Sequence, residues 1–178
     1  MAIYPFEDKL PVIAPGAYVH PEATIIGEVT IGEGCYIGPG ARLRGDLGPI
    51  IIGPGSNVQD NCIMHCLAPH LPVRLGPNCH IGHGAIIHSA VLGVHVTVGM
   101  GAIIMDEVEI GDECLIGAGA LVTSRTVIPP GKKVLGFPAK IVGDVTPEMR
   151  RQLTENTGIY HELAQRYLRD AARSHGQT

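Results

Sequence analysis

Three histidines, His65, His83 and His88, stand at spacings that could hold a divalent metal. His65 follows Met64 and His88 follows Ile87, and both preceding residues belong to a series of aliphatic positions six residues apart. Allowing for a five-residue loop after Cys66, three such units separate them. That is one full turn of a three-sided coil, so the two imidazoles share a corner on successive turns. Stacked strands lie about 4.8 Å apart. Two imidazole nitrogens on one tetrahedral zinc, each at about 2.0–2.1 Å, are separated by roughly 3.4 Å, which a small lean of each side chain supplies. His83 follows Ile81 by two, on the strand before that corner, and a rigid prism points it away from the pair. As a third ligand it comes most simply from a neighbouring subunit, and a threefold ring would repeat such a site at each interface. The alternative is a set of outward-facing histidines on a Gly-rich coil. His20, His70, His80 and His95 read as surface or flanking residues.

Polar side chains replace glycine near these histidines. Arg44 follows Leu43, one turn before His65, and Gln59 follows Val58. They lie in the stretches Arg44-Gly45-Asp46 and Asn57-Val58-Gln59-Asp60-Asn61. Arg44 and Asp46 fit a subunit-interface ion pair as well as they fit catalysis.

The elements that position these residues follow from the repeat. Aliphatic anchors recur without a break at Ile13, Val19, Ile25, Ile31, Ile37 and Leu43, and again from Leu92 through Val134. Between these runs the register continues through Ile52, Val58, Met64, Leu75, Ile81 and Ile87. It requires a three-residue insertion at 49–51, the loop after Cys66, and one deletion before Leu92. The residue after each anchor is often glycine, as at Gly53, Gly82 and Gly99, where a turning backbone is expected to need freedom at φ. The fifth position is small: Ala23, Cys35, Ala41, Ser56, Cys62, Cys79, Ala85 and Cys114. Such a unit predicts three short parallel strands per 18-residue turn. Composition agrees: 45% hydrophobic but 4% aromatic residues, with no Trp and 24 Gly, suit a thin aliphatic core. Four of the five cysteines sit at small inward positions and read as core, while Cys66 is off the pattern.

The fold class expected is all-β, a parallel β-helix of hexapeptide repeats over 10–143 with a C-terminal α-helical segment over 144–174. Thr146-Pro147-Glu148 is a helix start, with Thr as N-cap and Pro at the first position. Met149, Leu153, Ile159, Leu163, Tyr167 and Ala171 fall near helical spacing, and Gly158 marks a break between two segments. Ser174 to Thr178 should fray. Thirteen basic against seventeen acidic residues, net −4, without a Lys/Arg run, argue against nucleic acid. The absence of a signal-like N-terminus and of any 18-residue apolar run points to a cytoplasmic protein without membrane contact.

With these residues in view, the chain resembles the γ-class carbonic anhydrase family. The match runs through Arg44-Gly45-Asp46, Asn57 to Asn61, His65, Ile81-Gly82-His83 to His88, and Gly136-Phe137-Pro138-Ala139-Lys140. The resemblance implies a left-handed β-helical homotrimer with zinc, or Fe2+ or Co2+, between subunits. His65 and His88 would be ligands from one subunit and His83 from the next. Gln59 and Asn57 would orient metal-bound solvent, and Arg44, Asp46 and Asp60 would form an interface network. Tyr160 is a candidate for a helix residue reaching the site. The implied lyase reaction converts CO2 to bicarbonate. The family's glutamate proton shuttles have no counterpart here, since Leu47 follows Asp46 and the loop from Cys66 to Val73 lacks carboxylates. His70 is the proposed substitute. The stretches Gln59 to His65 and His80 to Ala85 look closer to the phenylacetate-degradation and carnitine-operon branch. That branch adds a zinc acyl-CoA thioesterase as an alternative, beside a hexapeptide-repeat acyltransferase and a non-catalytic metal-bound scaffold.

Overall fold

The structure is a computed structural model that describes residues 2–175. Short strands stack in parallel into a left-handed β-helix of about seven turns. Within the repeat the expected anchors are register partners: Ile25 with Leu43, Leu43 with Met64, Met64 with Ile87, and Ile87 with Ile104. A second face stacks Val58, Ile81, Val98 and Ile116, and a third stacks Ile31, Ile52, Leu75, Leu92 and Ile110. The insertion, the loop and the deletion therefore lie where the register requires them. The anchors fill one continuous buried core together with the small fifth-position residues. Cys66 also belongs to that core, fully buried with its thiol on the Pro49 carbonyl, so all five cysteines are free, buried packing residues.

The glycine after each anchor has a different cause from the one expected. These glycines lack positive φ. A Cβ on Gly53 would stand 2.5 Å from the Gly76 carbonyl carbon, and one on Gly82 would stand 2.8 Å from the Met100 nitrogen. Close stacking of successive coils excludes the side chain. Left-handed φ falls two residues later, as at Gly84 (φ 70) and Asn61 (φ 58), where Gly and Asn adopt it at least cost.

Both ends depart from the repeat. The strand Ala2–Tyr4 pairs with Thr24–Ile31 ahead of residue 10. At the other end Lys132–Gly136 and Ala139–Asp144 form an antiparallel hairpin that closes the last coil. One helix, α1 (Pro147–His175), follows, with the Met149 amide donating to the Thr146 hydroxyl at 3.2 Å. Gly158 does not break it. A helical glycine costs about 1 kcal/mol relative to alanine, and docking on both sides of it offsets that cost. Thr157 and Ala164 are buried, and His161 reaches the Gly55 carbonyl. Ile159 is 60% exposed, so the docked face is shifted from the expected one. Four of the five tyrosines gather at this seam: Tyr18 stacks on Tyr36 and Tyr167, and Tyr160 packs on Tyr36. These four tyrosines thus glue the helix to the coil and leave the prism to aliphatic side chains. The fraying expected from Ser174 onward lies largely outside the described residues, since α1 runs to His175. Among the described residues no helix is long and apolar enough to cross a membrane.

Candidate metal centre

Strands Ile63–His65 and Ile86–His88 are neighbours, and His65 pairs directly with His88 while Arg44 pairs with His65. The predicted column of Arg44, His65 and His88 is therefore present. The two imidazoles tilt toward each other with ring centroids 5.1 Å apart, and His65 Nδ1 lies 3.0 Å from His88 Nε2. Each outer nitrogen faces a carboxylate. His65 Nε2 is 3.0 Å from Asp46 Oδ1, and His88 Nδ1 contacts Asp106 Oδ1. Asp46 also accepts from the Arg44 guanidinium at 2.6 Å and from the Leu47 amide at 2.9 Å.

These partners decide which nitrogens carry protons. Burial alone would raise the Asp46 pKa, but hydrogen bonds from Arg44 and His65 hold it below the ordinary carboxylate value. Burial lowers the His65 pKa, so at neutral pH its imidazole is uncharged. An ionised carboxylate can only accept, so Asp46 takes the Nε2–H of His65 and Asp106 takes the Nδ1–H of His88. Both inward nitrogens then present lone pairs to each other at 3.0 Å. Two facing acceptors need a cation between them, a proton or a metal. The spacing is close to the roughly 3.4 Å of two imidazoles sharing zinc, and carboxylates behind the ligands are the usual outer support of such a site. The residues fit a divalent metal, which His65 and His88 would hold; neutral imidazoles suit Zn2+, Fe2+ and Co2+ alike.

His83 does not join the pair within the chain, and among the described residues no three His, Cys, Asp or Glu side chains gather into a metal site. It follows strand His80–Ile81 on another face, with Nδ1 3.3 Å from Asp60 Oδ2. The rigid prism keeps the faces apart, as the spacing predicted. The remaining candidates accompany His83. Asn57 and Gln59 are buried, and both contact His80: Asn57 Nδ2 is 3.2 Å from its Nδ1 and Gln59 Nε2 is 2.8 Å from its Nε2. Gln59 also donates to Asn57 Oδ1 at 3.0 Å. Tyr160 meets the His80 ring edge-on at 5.4 Å between centroids. Gln59, His80, His83 and Tyr160 line one recess between α1 and the coil. His70 is elsewhere, exposed in a separate recess with Ser89, Glu107 and Glu109.

Of the two roles left open for His80, flanking and surface, the structure gives it the flanking one, while Asp106 escaped the sequence reading. His80 is not a surface residue: burial drives its pKa down to about 4. Its register partner is Asn57, at the same coil offset that joins His65 to His88, and that offset was the available signal. Asp106 lies 18 residues after His88, but the turn between them has only 17 because of the deletion before Leu92, so it stands second, not first, after its anchor and the signal is obscured.

The family signature described as bacterial transferase hexapeptide (six repeats) matches residues 11–45 and 89–124, and that of the hexapeptide repeat of succinyl-transferase matches 72–105. The carnitine operon protein CaiE of Escherichia coli K12 is 41% identical over 93% of this chain and 84% of its own length. CaiE of Proteus sp. is 42% identical over the same shares. Among solved structures, the BC4754 gene product of Bacillus cereus, described provisionally as an acetyltransferase, superposes with a TM-score of 0.91 at 39% identity, covering 93% of this chain and 96% of that one. A hexapeptide transferase family protein from Anaplasma phagocytophilum gives 0.88 at 32% identity, covering 93% and 98%.

Proposed function

The chain belongs to the hexapeptide-repeat family that includes the carnitine operon protein CaiE, and from that premise we propose a metal-dependent enzyme that adds water to a carbonyl-type carbon, converting CO2 to bicarbonate. The observation that carries this reading is the facing pair of ring nitrogens on His65 and His88, 3.0 Å apart, with a carboxylate behind each ring. His83 of a second copy is the third ligand, which makes a homotrimer the functional unit. Zinc bound there would supply hydroxide at neutral pH by lowering the pKa of water from 15.7 to about 7.

The chain's own residues set the conditions for that chemistry. Asp46 and Asp106 lock both imidazoles in the tautomer that points a lone pair inward. Gln59 and Asn57, braced against His80, present fixed amides. Burial raises the Tyr160 pKa, so its phenol stays protonated and can donate to a substrate oxygen. Arg44 screens Asp46, and together with Asp60 it forms the polar network at the subunit interface. Five unpaired cysteines accord with a reducing cytoplasm.

A second reading, hydrolysis or transfer of an acyl group from a CoA thioester, is supported by the recess beside His83 and by the acetyltransferase description of the BC4754 product. Metal analysis of the purified protein, followed by CO2-hydration and acyl-CoA hydrolysis assays on wild type and His65→Ala, tests both. The expected result is bound metal and an activity that are lost together in His65→Ala. Metal-free native protein would overturn the site, and bound metal with neither activity would leave a scaffold.

A further inference from the structure

Three side chains beside the recess between α1 and the coil touch one another in pairs. Asn57 Nδ2 stands 3.2 Å from His80 Nδ1, Gln59 Nε2 stands 2.8 Å from His80 Nε2, and Gln59 Nε2 reaches Asn57 Oδ1 at 3.0 Å. The contacts close a triangle. Each amide has a donor end and an acceptor end of similar size, and a neutral imidazole has one nitrogen of each kind. As the amides stand, both offer an N–H to His80, and a neutral imidazole accepts only one. Turning Asn57 end for end satisfies His80 but sets two amino groups against each other at the Gln59 contact. Turning Gln59 alone sets its oxygen against Asn57 Oδ1. Turning both leaves two oxygens facing an imidazole that has one proton to give. Every arrangement therefore leaves one contact unsatisfied. A second proton on His80 would satisfy all three, but burial keeps it off at neutral pH.

No other group breaks the tie. Among the described residues the His80 imidazole bonds only to these two amides, and Tyr160 meets it edge-on. Thr97, its register partner on the next coil, has a buried hydroxyl with no partner. The least costly contact to lose is the longest, between Asn57 and His80 at 3.2 Å. Two arrangements lose that one alone. In the first, His80 is protonated on Nδ1 and accepts from Gln59 Nε2, which leaves the carbonyl oxygen of Gln59 to the recess it lines. In the second, His80 is protonated on Nε2 and donates to the oxygen of Gln59, which leaves the amino group to the recess. Packing fixes where the amides stand, and the tautomer of His80 fixes which way they face.

We propose that His80 is a positioning residue whose tautomer decides whether Gln59 offers the recess an acceptor or a donor, and that the closed triangle of contacts keeps both choices open. The use of this reversal rests on the water-addition reading. The oxygen of Gln59 accepts from an incoming water, and its amino group donates to the anionic product, bicarbonate. Passing from one to the other releases the proton on Nδ1 to solvent and takes one up on Nε2, with no change in the charge of the protein.

The test is nuclear magnetic resonance of the nitrogen-15-labelled full chain near neutral pH, with the His80 nitrogens assigned by their loss in His80→Gln. Chelator-treated wild type is expected to show both nitrogens between their protonated and unprotonated shifts, the minor tautomer holding about a tenth or more of the population. Asn57→Asp replaces the amide with two acceptor oxygens, one for the Nδ1–H and one for the Gln59 amino group. All three contacts then close on a neutral imidazole, and only the Nδ1–H tautomer should remain. A single tautomer in wild type, or a mixture that persists in Asn57→Asp, would overturn the proposal, and the wild-type spectrum decides it even where the variant does not fold. Bicarbonate added to zinc-loaded wild type should move His80 toward the Nε2–H form. A wild-type mixture indifferent to bicarbonate would sink the water-addition reading and leave the two-way amide standing.

Discussion

The corner that stacks His65 on His88 and the corner that stacks Asn57 under His80 are built by the same coil offset and the same parallel register. They differ in what surrounds the imidazoles. At the first, carboxylates of Asp46 and Asp106 occupy the outer nitrogens and leave two lone pairs facing each other. At the second, the amides of Asn57 and Gln59 occupy both nitrogens of one imidazole, and α1 covers it. Carboxylates prepare a metal ligand, whereas amides and burial prepare a neutral wall. The stacking geometry is common property of the coil, and the chemistry is set by the partner of each ring.

Substitutions can break that contrast, beginning with the largest effect. His88→Ala should abolish zinc binding, read as metal per chain by atomic absorption, and its thermal midpoint should match that of chelator-treated wild type; retained zinc would show that the facing pair is not the site. Asp106→Asn keeps the ligand but replaces its acceptor-only carboxylate with a neutral amide that can also turn an N–H toward the ring, so the tautomer is no longer fixed and metal affinity should fall about 10- to 100-fold in chelator competition. An unchanged affinity would make Asp106 a mere surface contact.

The second corner should answer to acid instead of to metal. With a folded pKa of about 4 against about 6.5 in the unfolded chain, His80 stays neutral in the fold while the unfolded chain takes up a proton. Its contribution to stability is therefore complete above pH 6.5 and is lost as pH falls toward 4. Between pH 7 and pH 5 the loss is on the order of 2 kcal/mol. Urea denaturation of His80→Gln should show a correspondingly shallower dependence on pH, with zinc content unaltered. Parallel pH dependences would mean that the His80 corner is not the titrating element. The smallest effect is expected from His70→Ala, which should slow CO2 hydration several-fold in dilute buffer and not in concentrated buffer. Equal rates in dilute buffer would remove His70 as a proton relay.

The sequence made the fold legible because each turn repeats the same few requirements. An aliphatic residue must point inward every six positions, and a small one must follow at the fifth. Even the interrupted stretch from Ile52 to Ile87 could be aligned, since one misplaced residue would have put a polar side chain in the prism. The glycines were legible as a pattern but not in their cause: φ is a local property, while the approach of Gly53 to Gly76 belongs to two coils. Gly158 misled for a related reason. Its helix penalty is intrinsic to the residue, and the docking of Thr157, His161 and Ala164 that overcomes it is not.

By itself the sequence determined the register, the aliphatic prism and the column of Arg44, His65 and His88, because all of these depend on translation along one axis at a constant step. Tertiary structure alone decided that Asp106 would turn back to His88, and that α1 would close over His80 and open a recess beside it. Those outcomes depend on the angles at which side chains leave the coil and on the face against which the helix settles. Residue spacing carries no record of either.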